Sequence, residues 1–154
     1  MAISSALSAL IGKWSGTNRL HMVWDTENPI RESHGTASVT ERVGGQVLEI
    51  SYTWVFEDEV KEGLLLINGN PKSEAVEAFW TDSWHLADQM MLCSGTAGTD
   101  GSISVSGSYK VEGHPEWGWR TEIIPGDGRF RYNMYNVSPE GVEDIAVEME
   151  MMRT

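Results

Sequence analysis

Asp82 is the residue whose surroundings best suggest chemistry. It lies in the segment Phe79–Trp84 and shares two-residue parity with Trp80 and Trp84, so a strand there would turn its carboxylate inward with two large rings. A buried carboxylate must find hydrogen-bond donors or become protonated. It could serve as a polar anchor for a ligand, or as a general base of raised pKa.

A structural role is the competing interpretation of Asp82, and we favour it. In that case the carboxylate is a hydrogen-bonded group at the end of a strand, near a rim. Asn18, Tyr52 and Tyr132 are the side chains we expect to supply its hydrogen bonds.

The four histidines give weaker signals, and none has a partner at metal-ligand spacing. Parity turns His21 and His85 outward, and His114 falls in a Gly-His-Pro turn, so each is predicted to be a solvated group. Cys93 is predicted to be a small buried apolar residue. We therefore predict no catalytic residue and no metal site.

The segments that carry these residues have the two-residue period of β-strands with one buried face. The clearest run spans residues 102–111, where Ile103, Val105 and Tyr109 alternate with serines. Before residue 12 the apolar spacing is helical and predicts one or two helical turns ending at Gly12. Gly, Asn and Asp between the runs are typical of tight hairpin turns.

About ten strands follow this pattern, and short connections make each one an antiparallel neighbour of the next. An all-β, up-and-down barrel is the predicted fold, with a two-layer sandwich as the alternative. One domain covers residues 1–154, a length that suits a single core. The predicted strands are 13–24, 34–43, 46–56, 59–67, 75–84, 90–97, 102–111, 116–124, 129–137 and 143–153.

The predicted interior is rich in aromatic rings, and the chain has seven tryptophans. Such a barrel is either filled by its own side chains or left partly open to a small ligand. Trp14 is expected to plug a closed end. The residues predicted to line a ligand site are Trp24, Tyr52, Trp54, Trp80, Asp82, Trp117, Trp119, Phe130 and Tyr132.

Composition argues against several classes of partner. The net charge is −12 and the 11 Lys and Arg form no basic stripe, which disfavours nucleic acid and anionic membranes. No apolar segment is long enough for a membrane helix. A single cysteine is compatible with a reducing compartment, and we predict a cytoplasmic protein.

The run Gly12-Lys13-Trp14 at the start of the first strand resembles the calycin superfamily of lipocalins, fatty-acid-binding proteins and nitrobindin-like haem barrels. The stretches Gly63–Leu65, Phe79–Ser83 and Glu148–Met151 look more like a bacterial family of uncharacterised calycin-like domains. This resemblance implies a ten-stranded barrel with a central pocket. It implies no particular activity.

Two departures from the better-known calycins narrow the expected ligand. Fatty-acid-binding proteins hold a carboxylate with an Arg-x-Tyr pair, whereas the nearest run here, 129–132, is Arg-Phe-Arg-Tyr and would turn both arginines outward. Nitrobindin-like proteins bind haem through a histidine near the C-terminus, and this chain has none after His114. Haem would then need His85 or His114, so we expect no cofactor.

The sequence thus predicts a protein that binds a small apolar or aromatic molecule inside its barrel. One alternative is an enzyme on the same barrel, such as an isomerase or cyclase acting on an unsaturated lipid. Another is a filled barrel that acts through its outer surface, for instance as a homodimer.

Overall fold

Ten antiparallel strands form a closed barrel in the computed structural model, which describes residues 4–70 and 72–154. Each strand pairs with the next one in the chain, and the last pairs with the first. The predicted all-β meander barrel is confirmed. Its strands are β1 (Gly12–His21), β2 (Ile30–Arg42), β3 (Val47–Phe56), β4 (Glu59–Gly69), β5 (Ala75–Asp82), β6 (Met91–Ala97), β7 (Ile103–Tyr109), β8 (Trp117–Pro125), β9 (Arg129–Val137) and β10 (Glu143–Arg153).

The barrel closes where β1 pairs with β10, from Trp14 opposite Arg153 to Leu20 opposite Val147. The two strands approach very closely at Gly16. A Cβ atom on this glycine would lie 1.9 Å from the backbone oxygen of Glu150. Only a residue without a side chain permits this approach.

A short helix, α1 (Ser5–Ser8), covers one end of the barrel, which we call the closed end. Leu7 and Leu10 are buried there, and the indole nitrogen of Trp14 donates to the Leu10 carbonyl at 2.7 Å. The predicted N-terminal helix and the plugging role of Trp14 are confirmed. The helix ends earlier than expected, because Gly12 already begins β1. Among the residues described, no helix has the length and apolar character to cross a membrane.

Arg153 fastens the closed end from the opposite strand. Its guanidinium group lies 4.2 Å from the centre of the Trp14 ring, and it donates to the carbonyls of Ala9 and Ile11. A cation over an indole face and two bonds to backbone oxygens hold the helical segment against β10.

At the other end of the barrel, which we call the mouth, β1 is shorter than the sequence predicts. The strand ends at His21, and the amide of Met22 donates to the Pro29 carbonyl, so residues 22–29 form a loop rather than more strand. Trp24 lies on this loop with 68% of its surface exposed. The prediction that the first strand reaches Trp24 is therefore wrong, because β1 ends at His21.

Replacing Gly16 tests the close approach of β1 and β10. We expect Gly16→Ala to lower the free energy of unfolding by about 1–3 kcal/mol, because the added methyl group must push a backbone carbonyl away. Urea unfolding measures this change. The neighbouring Ser15→Ala is the control, and its change should stay within about 0.5 kcal/mol. Equal stabilities of the two variants would contradict the prediction.

Candidate functional site

The side chain of Asp82, at the end of β5, accepts hydrogen bonds from four donors. Its Oδ2 atom accepts from the Tyr52 hydroxyl at 2.8 Å and from the Trp54 indole at 3.2 Å. Its Oδ1 atom accepts from the backbone amides of Trp84 at 2.8 Å and His85 at 3.0 Å. The residue is only 1% exposed. These bonds describe a structural carboxylate at a strand end, which is the interpretation that the sequence favoured.

Of the three expected partners of Asp82, Tyr52 alone is bonded to it. The hydroxyl of Tyr52 also accepts from the Trp80 indole at 2.9 Å, so a chain of bonds runs from Trp80 through Tyr52 to Asp82. Burial, above all, raises the pKa of Tyr52 well above its usual 10, which keeps the phenol protonated as a donor. A Cβ on Gly63 would lie 2.0 Å from the ring, so this glycine makes room for the tyrosine.

The two other expected partners, Asn18 and Tyr132, are buried elsewhere in the interior. Neither the amide of Asn18 nor the hydroxyl of Tyr132 has a hydrogen-bond partner among the residues that the structure describes. The Tyr132 ring packs edge-on against Tyr52 at 5.2 Å. Phe130 packs against Trp14 at 4.9 Å, close to α1. Phe130 and Tyr132 therefore fill the barrel below the mouth.

His85 lies among four tryptophan rings rather than in solvent. Its ring centre is 4.7 Å from Trp84, 5.4 Å from Trp119, 5.6 Å from Trp54 and 5.9 Å from Trp80. The predicted outward orientation is wrong, because β5 ends at Asp82 and the turn bound to its carboxylate redirects the chain. Parity carries no information beyond the end of a strand.

The tryptophan rings also change the acid–base behaviour of His85. Burial lowers its pKa to about 4, although the negative charge of Asp82 opposes the shift. The imidazole is consequently neutral at physiological pH. It acts there as a flat, polar ring within an aromatic cluster.

Trp80 and Trp119 form a parallel stack next to His85. Their ring centres are 5.2 Å apart and their planes differ by 8°. Trp80 is held by its bond to Tyr52, whereas the buried indole nitrogen of Trp119 has no partner in the described part of the chain. The stack separates the filled lower barrel from the mouth.

A cavity of about 380 Å³ opens at the mouth, above this stack. Four of the nine predicted site residues line it: Trp24, Trp80, Trp117 and Trp119. Trp24 contributes from the loop that follows β1. A bulge between Ile145 and Val147 adds Ala146 to the wall, and bulges of this kind commonly shape barrel rims.

Five predicted site residues do not line the cavity. Trp54 and Asp82 belong to the bonded group behind His85, and the other three fill the interior. Trp54 is still in contact with the cavity wall through its stacking on His85. The five are Tyr52, Trp54, Asp82, Phe130 and Tyr132.

Sequence reasoning missed several lining residues. His21, predicted to be solvated, has a side chain only 16% exposed and lies 3.3 Å from a carboxylate oxygen of Glu148. Tyr109 lines the wall, and its hydroxyl bonds to Asn136. Trp84 also lines the cavity, and its two-residue spacing from Asp82 could have predicted this position. Asp144, the second residue of β10, gave no such signal.

The chain matches the family model described as "Protein of unknown function (DUF1579)" over residues 3–153. In three dimensions it is similar to the crystal structure of Rv2717c from M. tuberculosis, with a TM-score of 0.66 and 14% sequence identity over 99% of each chain. At that identity the likeness establishes a shared fold alone. No curated protein matches the sequence.

Replacing Asp82 tests whether its carboxylate organises the mouth. We expect Asp82→Asn to lower the free energy of unfolding by about 2–4 kcal/mol, because an amide NH₂ would face the donors of Tyr52 and Trp54. Urea unfolding measures the loss. The control is Asp127→Asn, an exposed turn residue at the closed end, which removes the same charge. If Asp82→Asn lowers the free energy of unfolding as little as Asp127→Asn does, the structural role of Asp82 is contradicted.

The pKa of His85 predicts a specific dependence of stability on pH. Between about pH 6.5 and 4, His85 is protonated in the unfolded chain but stays neutral in the folded protein. The free energy of unfolding therefore falls as the pH falls through this window. We expect a contribution of about 1–3 kcal/mol. His85→Phe should remove it, whereas His34→Phe on the outer wall should not. Unfolding curves at pH 7 and 4.5 measure it, and parallel profiles for the natural protein and His85→Phe would refute it.

Proposed function

The chain belongs to the DUF1579 family of proteins of unknown function, and we propose that it binds a small apolar or aromatic molecule in the cavity at the mouth of its barrel. The cavity volume of about 380 Å³ falls within the range of small-molecule sites. The observation that carries the proposal is the ordered aromatic wall, with the Trp80–Trp119 stack held from behind by Tyr52 and Asp82.

An aromatic wall whose rings are already fixed favours binding, because little side-chain entropy is lost when a ligand binds. The stack is fixed by packing and by the bond from Trp80 to Tyr52. The stack and the rings beside it provide flat apolar surface, which is typical of small-molecule sites.

Binding is better supported than the isomerase or cyclase alternative. Asp82 lies outside the cavity lining, and each of its two carboxylate oxygens already accepts two hydrogen bonds. His85 does reach the lining, but a pKa of about 4 makes it a weak base.

The filled-barrel alternative applies to part of the molecule. The interior between α1 and the stack is occupied by buried rings such as Trp14, Phe130 and Tyr132. Ligand binding in our proposal is therefore confined to the mouth. A calycin relationship is part of the same proposal, supported by the Gly12-x-Trp14 start of β1 and the meander barrel. We also propose a cytoplasmic location, with which the single cysteine of the sequence is compatible.

Titration with N-phenyl-1-naphthylamine, a neutral aromatic fluorophore, tests the proposed function. We expect its emission to rise and tryptophan emission to be quenched on binding, because the probe would stack in the mouth. Trp24→Ala should weaken binding at least about threefold, the loss of one exposed aromatic contact. Phe79→Ala, which removes an exposed ring from the outer wall of β5, is the matched control.

A second pair of variants fills space instead of removing it. Ala146→Trp would occupy the cavity and should weaken probe binding at least about tenfold. Ala75→Trp, at an exposed position where β5 begins, should leave binding unchanged. Failure of the probe to bind, or equal binding by all four variants, would overturn the proposal.

A further inference from the structure

The described residues that line the mouth cavity include a carboxylate but no permanent positive charge. Among the described residues that line it, Asp144 is the one with a full charge, and there is no lysine or arginine. His21 is paired with Glu148, so that pair has no net positive charge in either protonation state. His85 also lines the cavity, and its lowered pKa keeps it neutral.

The arginine nearest in sequence to the mouth loop is already neutralised. Arg31, at the start of β2, forms an ion pair with Asp25 on that loop at 2.6 Å. Its guanidinium group also lies over the Phe56 ring. It is absent from the cavity lining, so it does not offset Asp144 there.

The uncharged wall has an electrostatic preference of its own. Five tryptophans and one tyrosine line the cavity, and the faces of these rings carry partial negative charge. Cations are attracted to such faces, and indole attracts them best. The lining tryptophans are Trp24, Trp80, Trp84, Trp117 and Trp119.

The charge of the whole chain acts in the same direction. A net charge of −12 raises the local concentration of cations and repels anions. An anionic ligand would have to approach through that field and then lie beside Asp144, an exposed carboxylate near the start of β10, without a counter-charge. Desolvating such an anion would be costly.

We propose that the ligand of the mouth cavity is a small organic cation, an ammonium group carried on an aromatic or alkyl body, held by the tryptophan faces with Asp144 as its counter-charge. This inference rests on the proposed binding function and specifies its ligand class. A fatty-acid-like carboxylate is excluded by the same arrangement of charges.

Three probes of similar size separate charge from shape. They are 3-hydroxy-N,N,N-trimethylanilinium, its neutral isostere 3-tert-butylphenol, and the anion 3-hydroxybenzoate. We expect calorimetric titration to show the cation binding about tenfold more tightly than the isostere, the size of a desolvated cation–π interaction. The anion should bind most weakly, and added salt should weaken the cation alone.

Variants of Asp144 test the counter-charge. Asp144→Asn should lower the cation-to-isostere affinity ratio severalfold, and Asp144→Lys should abolish or reverse the preference. Asp127→Asn, at the opposite end of the barrel, changes the net charge by the same amount as Asp144→Asn and should leave the affinity ratio unaltered.

The outcomes distinguish this inference from the proposed function. If the neutral isostere binds as tightly as the cation, and Trp24→Ala weakens both, the cavity binds ligands and the charge preference is wrong. If neither the isostere, the cation nor the naphthylamine probe binds, the proposed function fails and this inference fails with it. A preference unchanged by Asp144→Lys would remove Asp144 from the site.

Discussion

The mouth of this barrel depends on how one buried carboxylate, that of Asp82, is satisfied. Such a group is costly to bury without donors, and here two come from interior side chains and two from the backbone of the following turn. The two carboxylate oxygens of Asp82 therefore link the aromatic interior to the connection between β5 and β6. The position of His85 follows from this tie, since the bonded turn carries it back over the rings.

That arrangement divides the barrel into two unequal parts. Toward α1, the interior is occupied by large buried side chains, and Gly63 is small so that Tyr52 can lie across it. Above the Trp80–Trp119 stack, the strands lead into loops and the interior is open. The side chains that fill the core and most of those that line the cavity therefore lie in different layers of the molecule.

The fold and part of the site could be predicted because strand parity is a local property. The alternation of apolar and polar residues correctly predicted that Asp82, Trp80 and Trp119 face inward, and it predicted the ten strands in their order. It failed at Trp24 and His85, which lie just beyond strand ends, where the direction of a side chain depends on bonds to distant residues. The depth of the cavity was also beyond prediction, because it depends on how rings from opposite strands pack.

The way the cylinder closes has a consequence for how the chain reaches its native state. Nine of the ten ladders join consecutive strands and are short-range hairpins, whereas the β1–β10 ladder joins Trp14 to Arg153. Pairings between distant segments form slowly. While the ribosome is still making β10, the nascent sheet has two unprotected edges that invite aggregation. The seam beside Gly16 therefore determines how long those edges remain exposed.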